Sequence, residues 1–116
     1  MSYTTSCHCG AISAEIDGDL PESGMTCNCS ICRRKGHVLH FVAAADAQIS
    51  APKGTLADYT FNKHMIHHHF CSACGCSPFG TGSDGQGNTM VAVNLRCVPE
   101  CDLDALAIHA VDGASL

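Results

Sequence analysis

Apolar positions along this 116-residue chain recur in short alternating stretches rather than at helical spacing. Ile12, Ala14 and Ile16 fall on one face of segment 11–16, the period-two pattern of a half-buried strand, and Asp17-Gly18 then turns the chain. Residues 38–43 form a second strand candidate and 48–50 a short third. Pro52-Lys53-Gly54 predicts a turn into a strand over 55–61. A further strand is expected over 65–70, ending at Cys71. The loop 82–88 then joins Pro78-Phe79 to a strand over 90–95. Strands roughly ten residues apart, divided by Gly, Pro and Asp turns, indicate an all-β domain. Helix is expected only over Ser30–Lys35, with Ser30 as its N-cap, and in a turn over 103–106. At this length the chain is expected to be one domain, residues 1–116.

Composition qualifies the core. Apolar residues make up 46%, but there is no Trp, and only four Phe and two Tyr stand beside eleven Gly. A core of small residues lacks the large aromatic contribution to burial, so another stabiliser is needed. Ten cysteines supply the candidate. Residues 1–7 carry no basic start followed by an apolar stretch, and no apolar run approaches the roughly 20 residues that span a bilayer. The expectation is therefore a cytoplasmic protein without a membrane partner, its thiols kept reduced. A formal charge of −5 argues against nucleic acid as a partner, which needs a basic face. Yet three of the six Lys and Arg residues, Arg33, Arg34 and Lys35, sit together.

Seven cysteines fall into three close groups: Cys7-His-Cys9-Gly, Cys27-Asn-Cys29-Ser-Ile-Cys32 and Cys71-Ser-Ala-Cys74-Gly. Zinc suits them, because close pairs on tight turns supply the corners of a thiolate tetrahedron. Cys71 and Cys74 give half a site, and Cys7 with Cys9 is the economical other half. A Cys₄ centre of that kind ties the N-terminal strand to the late hairpin. Cys27, Cys29 and Cys32 then remain as three thiols without an obvious fourth, the count of a centre with an open position. Other arrangements stay open: His37, His40 or another cysteine could close the second centre, Cys27 and Cys29 could pair as a disulfide, or Cys7 and Cys9 could join the three-cysteine group instead.

Cys76 and Cys97 read as small buried hydrophobes, and Cys101, flanked by Glu100 and Asp102, as partly exposed. In the run His67-His68-His69, alternation puts the outer two on one face in a surface or supporting role. His8 is expected to point away from a metal held by its neighbours. His37 and His40 are the candidates for proton transfer.

Taken together, Cys7-His-Cys-Gly-Ala, Cys27-Asn-Cys-Ser-Ile-Cys-Arg-Arg-Lys-Gly36, His69-Phe-Cys-Ser-Ala-Cys-Gly75 and Val93-Asn-Leu-Arg-Cys97 resemble the glutathione-dependent formaldehyde-activating enzyme family, also called the centromere protein V domain family. The resemblance runs in order from Cys7 to Val111-Asp-Gly113. It implies a mainly β zinc-binding domain of several short coiled antiparallel sheets with very little helix. It also implies two zinc ions per chain, a structural one on Cys7, Cys9, Cys71 and Cys74 and a catalytic one on Cys27, Cys29 and Cys32. The implied activity is that of a carbon–sulfur lyase joining glutathione and formaldehyde in S-(hydroxymethyl)glutathione.

Zinc on three thiolates is a weak activator of water and better suited to taking a fourth thiol. Glutathione is anionic, and Arg33, Arg34 and Lys35 are the expected substrate-binding cations, with Arg96 and Asn94 as further candidates. The same triplet also reads as a solvated helix end. Two function classes follow. One is an enzyme or carrier acting on thiol adducts of small aldehydes. The other is an interaction module with two structural zincs and no catalysis.

Overall fold

Tyr3 and Thr5 point inward from an otherwise polar segment, and they anchor the first strand of this computed structural model, which describes residues 1–61 and 65–115. That strand, β1 (Ser2–Ser6), pairs antiparallel with β2 (Ser13–Asp17), setting Tyr3 opposite Ile16 and Thr5 opposite Ala14. β2 continues antiparallel to β5 (Ala47–Ser50), completing a three-stranded sheet.

The larger sheet contains β3 (Ser23–Cys27), β4 (Leu39–Ala43), β8 (Phe79–Ser83), β9 (Thr89–Asn94) and β10 (Ala107–Val111), in the order β10-β3-β4-β9-β8. A third, two-stranded sheet pairs β6 (Leu56–Tyr59) with β7 (His68–Cys71). The molecule is thus mainly β, with 44% of the described residues in strand and 16% helical. Among the described residues no helix is long and apolar enough to cross a membrane.

The main core lies between the inner faces of the first two sheets. Tyr3, Ala14 and Ile16 meet Val38, Phe79, Val91, Val93, Leu95 and Val98 there. The alternation on β9 explains its share, since Val91 and Val93 face inward while Ala92 does not. Thr5 adds a buried hydrogen bond from Oγ1 to the Pro78 carbonyl, so its hydroxyl enters the core satisfied. A second, smaller cluster of Cys7, Ile12 and Cys71 lies under the turns that carry the cysteines.

Several boundaries differ from the sequence expectation, each for a physical reason. β1, β3 and β10 were not expected: their inward positions are Tyr and Thr in β1 and Gly24 in β3, and β10 is exposed along most of its length. β10 also pairs parallel with β3, Val111 lying beside Cys27, where only antiparallel pairing was expected. Such a pairing joins distant segments and leaves no local turn signal. Gly82 and Ser83 belong to β8, because the turn at 84–88 is organised by Asp84, whose carboxylate accepts from the Gln86 and Asn88 backbone N–H groups and the Asn88 amide.

The single α-helix among the described residues, α1, spans Ser30–Lys35 as expected, but Cys29 occupies the N-cap position and Ser30 is the first helical residue. Gly36 ends the helix in the left-handed region at φ 69°, its N–H donating to the Cys32 carbonyl.

Candidate metal centres

Two turns carry the first group. Cys7 and Gly10 close one through a 3.2 Å backbone bond, with Gly10 at φ 82°; Cys71 and Gly75 close the other at 2.9 Å, with Gly75 at φ 81°. Both glycines supply a left-handed φ that other residues adopt at a cost, so both cysteine pairs end on sharply turned backbone. Packing of the buried Ile12 with Cys7 and Cys71 in the smaller cluster brings these turns together. The sulfurs of Cys7, Cys9, Cys71 and Cys74 all lie within 4.8 Å of one another. Cys7 and Cys9 are 3.7 Å apart and Cys9 and Cys71 3.6 Å. A tetrahedron of thiolates around zinc has an edge of about 3.8 Å, given a Zn–S bond near 2.3 Å. The donor set therefore fits a tetrahedral, thiolate-binding metal ion.

Backbone N–H groups prepare these sulfurs for negative charge, Ile12 donating to Cys7 and Ala73 to Cys71, each at 3.4 Å. The Cys76 and Cys9 N–H groups pull the Cys74 thiol down to about 6 against a small opposing effect of burial. Burial raises the Cys7 thiol, but the Ile12 N–H and the Cys9 and Cys71 thiols outweigh it, so it ends below its ordinary value. Cys9 moves the other way: the Ala11 N–H lowers it, yet the Cys71 and Cys7 thiols push it up to about 11. Four adjacent thiols cannot all shed their protons unaided, and a cation among them resolves the conflict.

Cys27 ends β3, Cys29 caps α1 and Cys32 lies within the first turn of that helix. Their sulfurs fall within 4.8 Å of one another, and all three residues are half-buried. No other His, Cys, Asp or Glu among the described residues joins this group. Cys27 Sγ accepts from the Cys29 N–H at 3.4 Å. Burial raises the Cys29 thiol but is outweighed, first by the Cys32 N–H and then by the Cys32 and Cys27 thiols and the Ile31 N–H. Burial, then the hydrogen bond with the Cys29 thiol and the charges of Cys29 and Cys27, push Cys32 up to about 12. Here too the donors repel one another until a cation arrives. The set of soft thiolates suits zinc.

One contact was invisible to spacing. The end of the chain lies against this group, and a Cβ added to Gly113 would overlap Cys27 Sγ. The Asn28 side chain, between two of the cysteines, bonds to Asp112 and Ala114. In the sequence, the signal available there was Val111-Asp112-Gly113, at which the resemblance ends.

The expected cations divide. Arg34 Nη1 donates to the Ser30 carbonyl at 2.7 Å, and Ser30, Ile31 and Arg34 line a groove with Tyr59 and Phe61. Lys35 Nζ donates to Ser77 Oγ at 2.9 Å and sits 5.5 Å over the Phe70 ring. Arg33 directly follows Cys32 and stands one helical turn after Cys29, and Lys35 is close enough to Cys32 for their charges to interact. Arg96 Nε donates to the Gly36 carbonyl at the end of α1, and the buried Asn94 amide is taken up by Val38, Ser77 and Arg96 backbone.

The histidines take supporting positions. Burial, then Lys35 and His68, lowers His37 to about 4, and burial lowers His40, so both stay neutral and weakly basic near pH 7. His67 Nδ1 lies 2.6 Å from Asp58, and its ring stacks on that of His69, which meets Thr81 Oγ1 at 3.0 Å. His8 is exposed. Cys76 packs on the small cluster and Cys101 against the main core. Cys97 is held up to about 11, chiefly by burial and then by Cys76, Cys7 and Cys74. None of the ten cysteines forms a disulfide.

A family model described as glutathione-dependent formaldehyde-activating enzyme matches residues 2–106. Among solved structures, the crystal structure of a Rhodobacter sphaeroides protein from a structural-genomics programme is similar in fold, with a TM-score of 0.77. The two are 22% identical, and the match covers 93% of this chain and 99% of that one.

Proposed function

This chain belongs to the glutathione-dependent formaldehyde-activating enzyme family, and from that membership we propose a zinc-dependent, carbon–sulfur lyase-type protein acting on glutathione–aldehyde adducts. In the forward direction the thiolate sulfur of glutathione attacks the carbonyl carbon of formaldehyde and forms the C–S bond. The carbonyl electron pair moves to oxygen, which takes up the proton that the thiol released, giving S-(hydroxymethyl)glutathione. Cytoplasm, where glutathione is abundant and thiols stay reduced, is the matching compartment.

The observation that carries this reading is the unequal donor count. Cys7, Cys9, Cys71 and Cys74 would hold a structural zinc with a full set of four. Cys27, Cys29 and Cys32 would hold a second with three, no further ligand joining them among the described residues. When bound there, zinc supplies a cation that takes a fourth donor and lowers the pKa of a thiol presented to it. Arg33, one helical turn after Cys29, would attract a carboxylate of the tripeptide. His37 and His40, both neutral and weakly basic, are poor proton acceptors, which favours direct loss of the thiol proton to solvent.

Cobalt substitution tests the reading. Thiolate-to-cobalt absorption should strengthen on adding glutathione but not its S-methyl derivative, and formaldehyde should then be consumed faster than in a protein-free mixture. A spectrum already showing four protein ligands at both centres, unchanged by glutathione, would instead support an interaction module with two structural metals.

A further inference from the structure

We infer that Asn28, Asp112 and Gly113 form a clamp that sets the positions of Cys27 and Cys29, making them positioning residues for the second metal centre. The inference rests on the reading that Cys27, Cys29 and Cys32 hold a metal. Two of its three residues, Asp112 and Gly113, lie beyond residues 2–106, which the family model matches.

Asn28 is the only residue between two of the ligands, so fixing it fixes the backbone that carries both. Its own N–H donates to the Val111 carbonyl at 3.3 Å. Its side-chain Nδ2 donates to Asp112 Oδ1 at 3.0 Å, and its Oδ1 accepts from the Ala114 N–H at 3.0 Å. The orientation of this amide is unambiguous, because a carboxylate can only accept and a backbone N–H can only donate. Asp112 is held in turn, its other oxygen accepting from Ser115 Oγ at 2.8 Å. The parallel pairing that sets Val111 beside Cys27 delivers this turn to the ligands.

Gly113 completes the clamp by lacking a side chain. A Cβ there would overlap Cys27 Sγ and press on Cys29 Cβ at 3.4 Å. The obstructed atom is the free end of a thiol, which can swing away at little cost to the fold. Swinging away, however, removes it from the metal. The hydrogen bonds are exposed, so each contributes little to global stability. Groups that orient metal ligands nonetheless change metal affinity by about 10–100-fold when lost.

The test is cobalt titration of the full chain against a competing chelator, reading each centre by its absorption, with the four-cysteine centre and the thermal melt as folding controls. Asn28→Ala and Asp112→Ala should weaken the second centre by about 10–100-fold and leave the first unchanged. Asp112→Asn should stay close to wild type, since its amide oxygen still accepts from Asn28. Gly113→Ala should fold, fill the first centre and fail to hold tetrahedral cobalt at the second.

Wild-type affinity at the second centre in both Asn28→Ala and Gly113→Ala would overturn the clamp alone. Loss of both centres together in those variants would also overturn it, marking a role in the fold rather than in positioning. A wild-type chain that binds a single cobalt would remove the metal reading of the second group, and the clamp with it.

Discussion

Arg33, Arg34 and Lys35 are adjacent in sequence but differ in what their charges already do. Arg34 is hooked to the Ser30 carbonyl and Lys35 to Ser77, while Arg33 stands one helical turn after Cys29. Arg33→Gln is therefore expected to weaken glutathione binding by about two- to fivefold, the range of an exposed ion pair. It should also flatten the dependence of that binding on salt, whereas Arg34→Gln should change neither, as calorimetry at two ionic strengths would show. His37 offers a second residue-scale prediction. Its pKa is lowered to about 4 by burial, with Lys35 and His68 facing it, against 6.5 for a free histidine. The unfolded chain takes up the proton first, so the contribution of neutral His37 is complete above pH 6.5 and is lost as pH falls toward 4. After allowance for its partial exposure, His37→Gln should remove about 1–2 kcal/mol of that acid sensitivity. Urea unfolding of both proteins at pH 7 and pH 5 measures it; parallel losses in the two would count against this origin.

Elements that alternate apolar and polar residues are legible in the sequence, and elements that lack the alternation are not. β2 and β9 overlap their expected segments because Ile16, Val91 and Val93 must face a core; β4, β5, β6 and β7 overlap theirs as well, and the bounds of α1 match although it buries no residue. β3 leaves no such pattern because its buried position is Gly24, whose missing side chain leaves room for Val38 and Leu95. A Cβ at Gly24 would collide with Val38 Cγ1 and approach Leu95 Cδ1 at 3.3 Å. Gly24→Ala is accordingly expected to cost about 1–3 kcal/mol through overpacking, seen as a lower urea midpoint with an unchanged slope. An unchanged midpoint would show that Val38 repacks freely. The first cysteine group is legible as two pairs, because the turn spacing of each is local. The Gly113 contact with the second is not, because it depends on a parallel pairing between opposite ends of the chain.

At the scale of the molecule, the two cysteine groups hold very different parts of the fold together. The first joins residues 62 positions apart, as Cys9 and Cys71 are, and sits on a buried cluster containing Cys7, Ile12 and Cys71. Without a metal, two of the four crowded thiols, Cys7 and Cys71, are buried in the second core of a protein poor in large aromatics. The other group joins β3 to α1 and lies against the turn that follows the exposed β10. Structural zinc supplies on the order of 10 kcal/mol, comparable with the whole stability of a small domain. Cys71→Ser is thus expected to abolish most of the cooperative fold, with loss of β-sheet circular dichroism at room temperature. Cys29→Ser should keep a cooperative melt within several degrees of wild type, bind one metal ion in place of two, and lose thiol-dependent turnover. Thermal melts paired with metal analysis of both variants decide the matter. If Cys71→Ser melts at the wild-type temperature, the first centre is not structural; if Cys29→Ser unfolds as completely as Cys71→Ser, the second centre is.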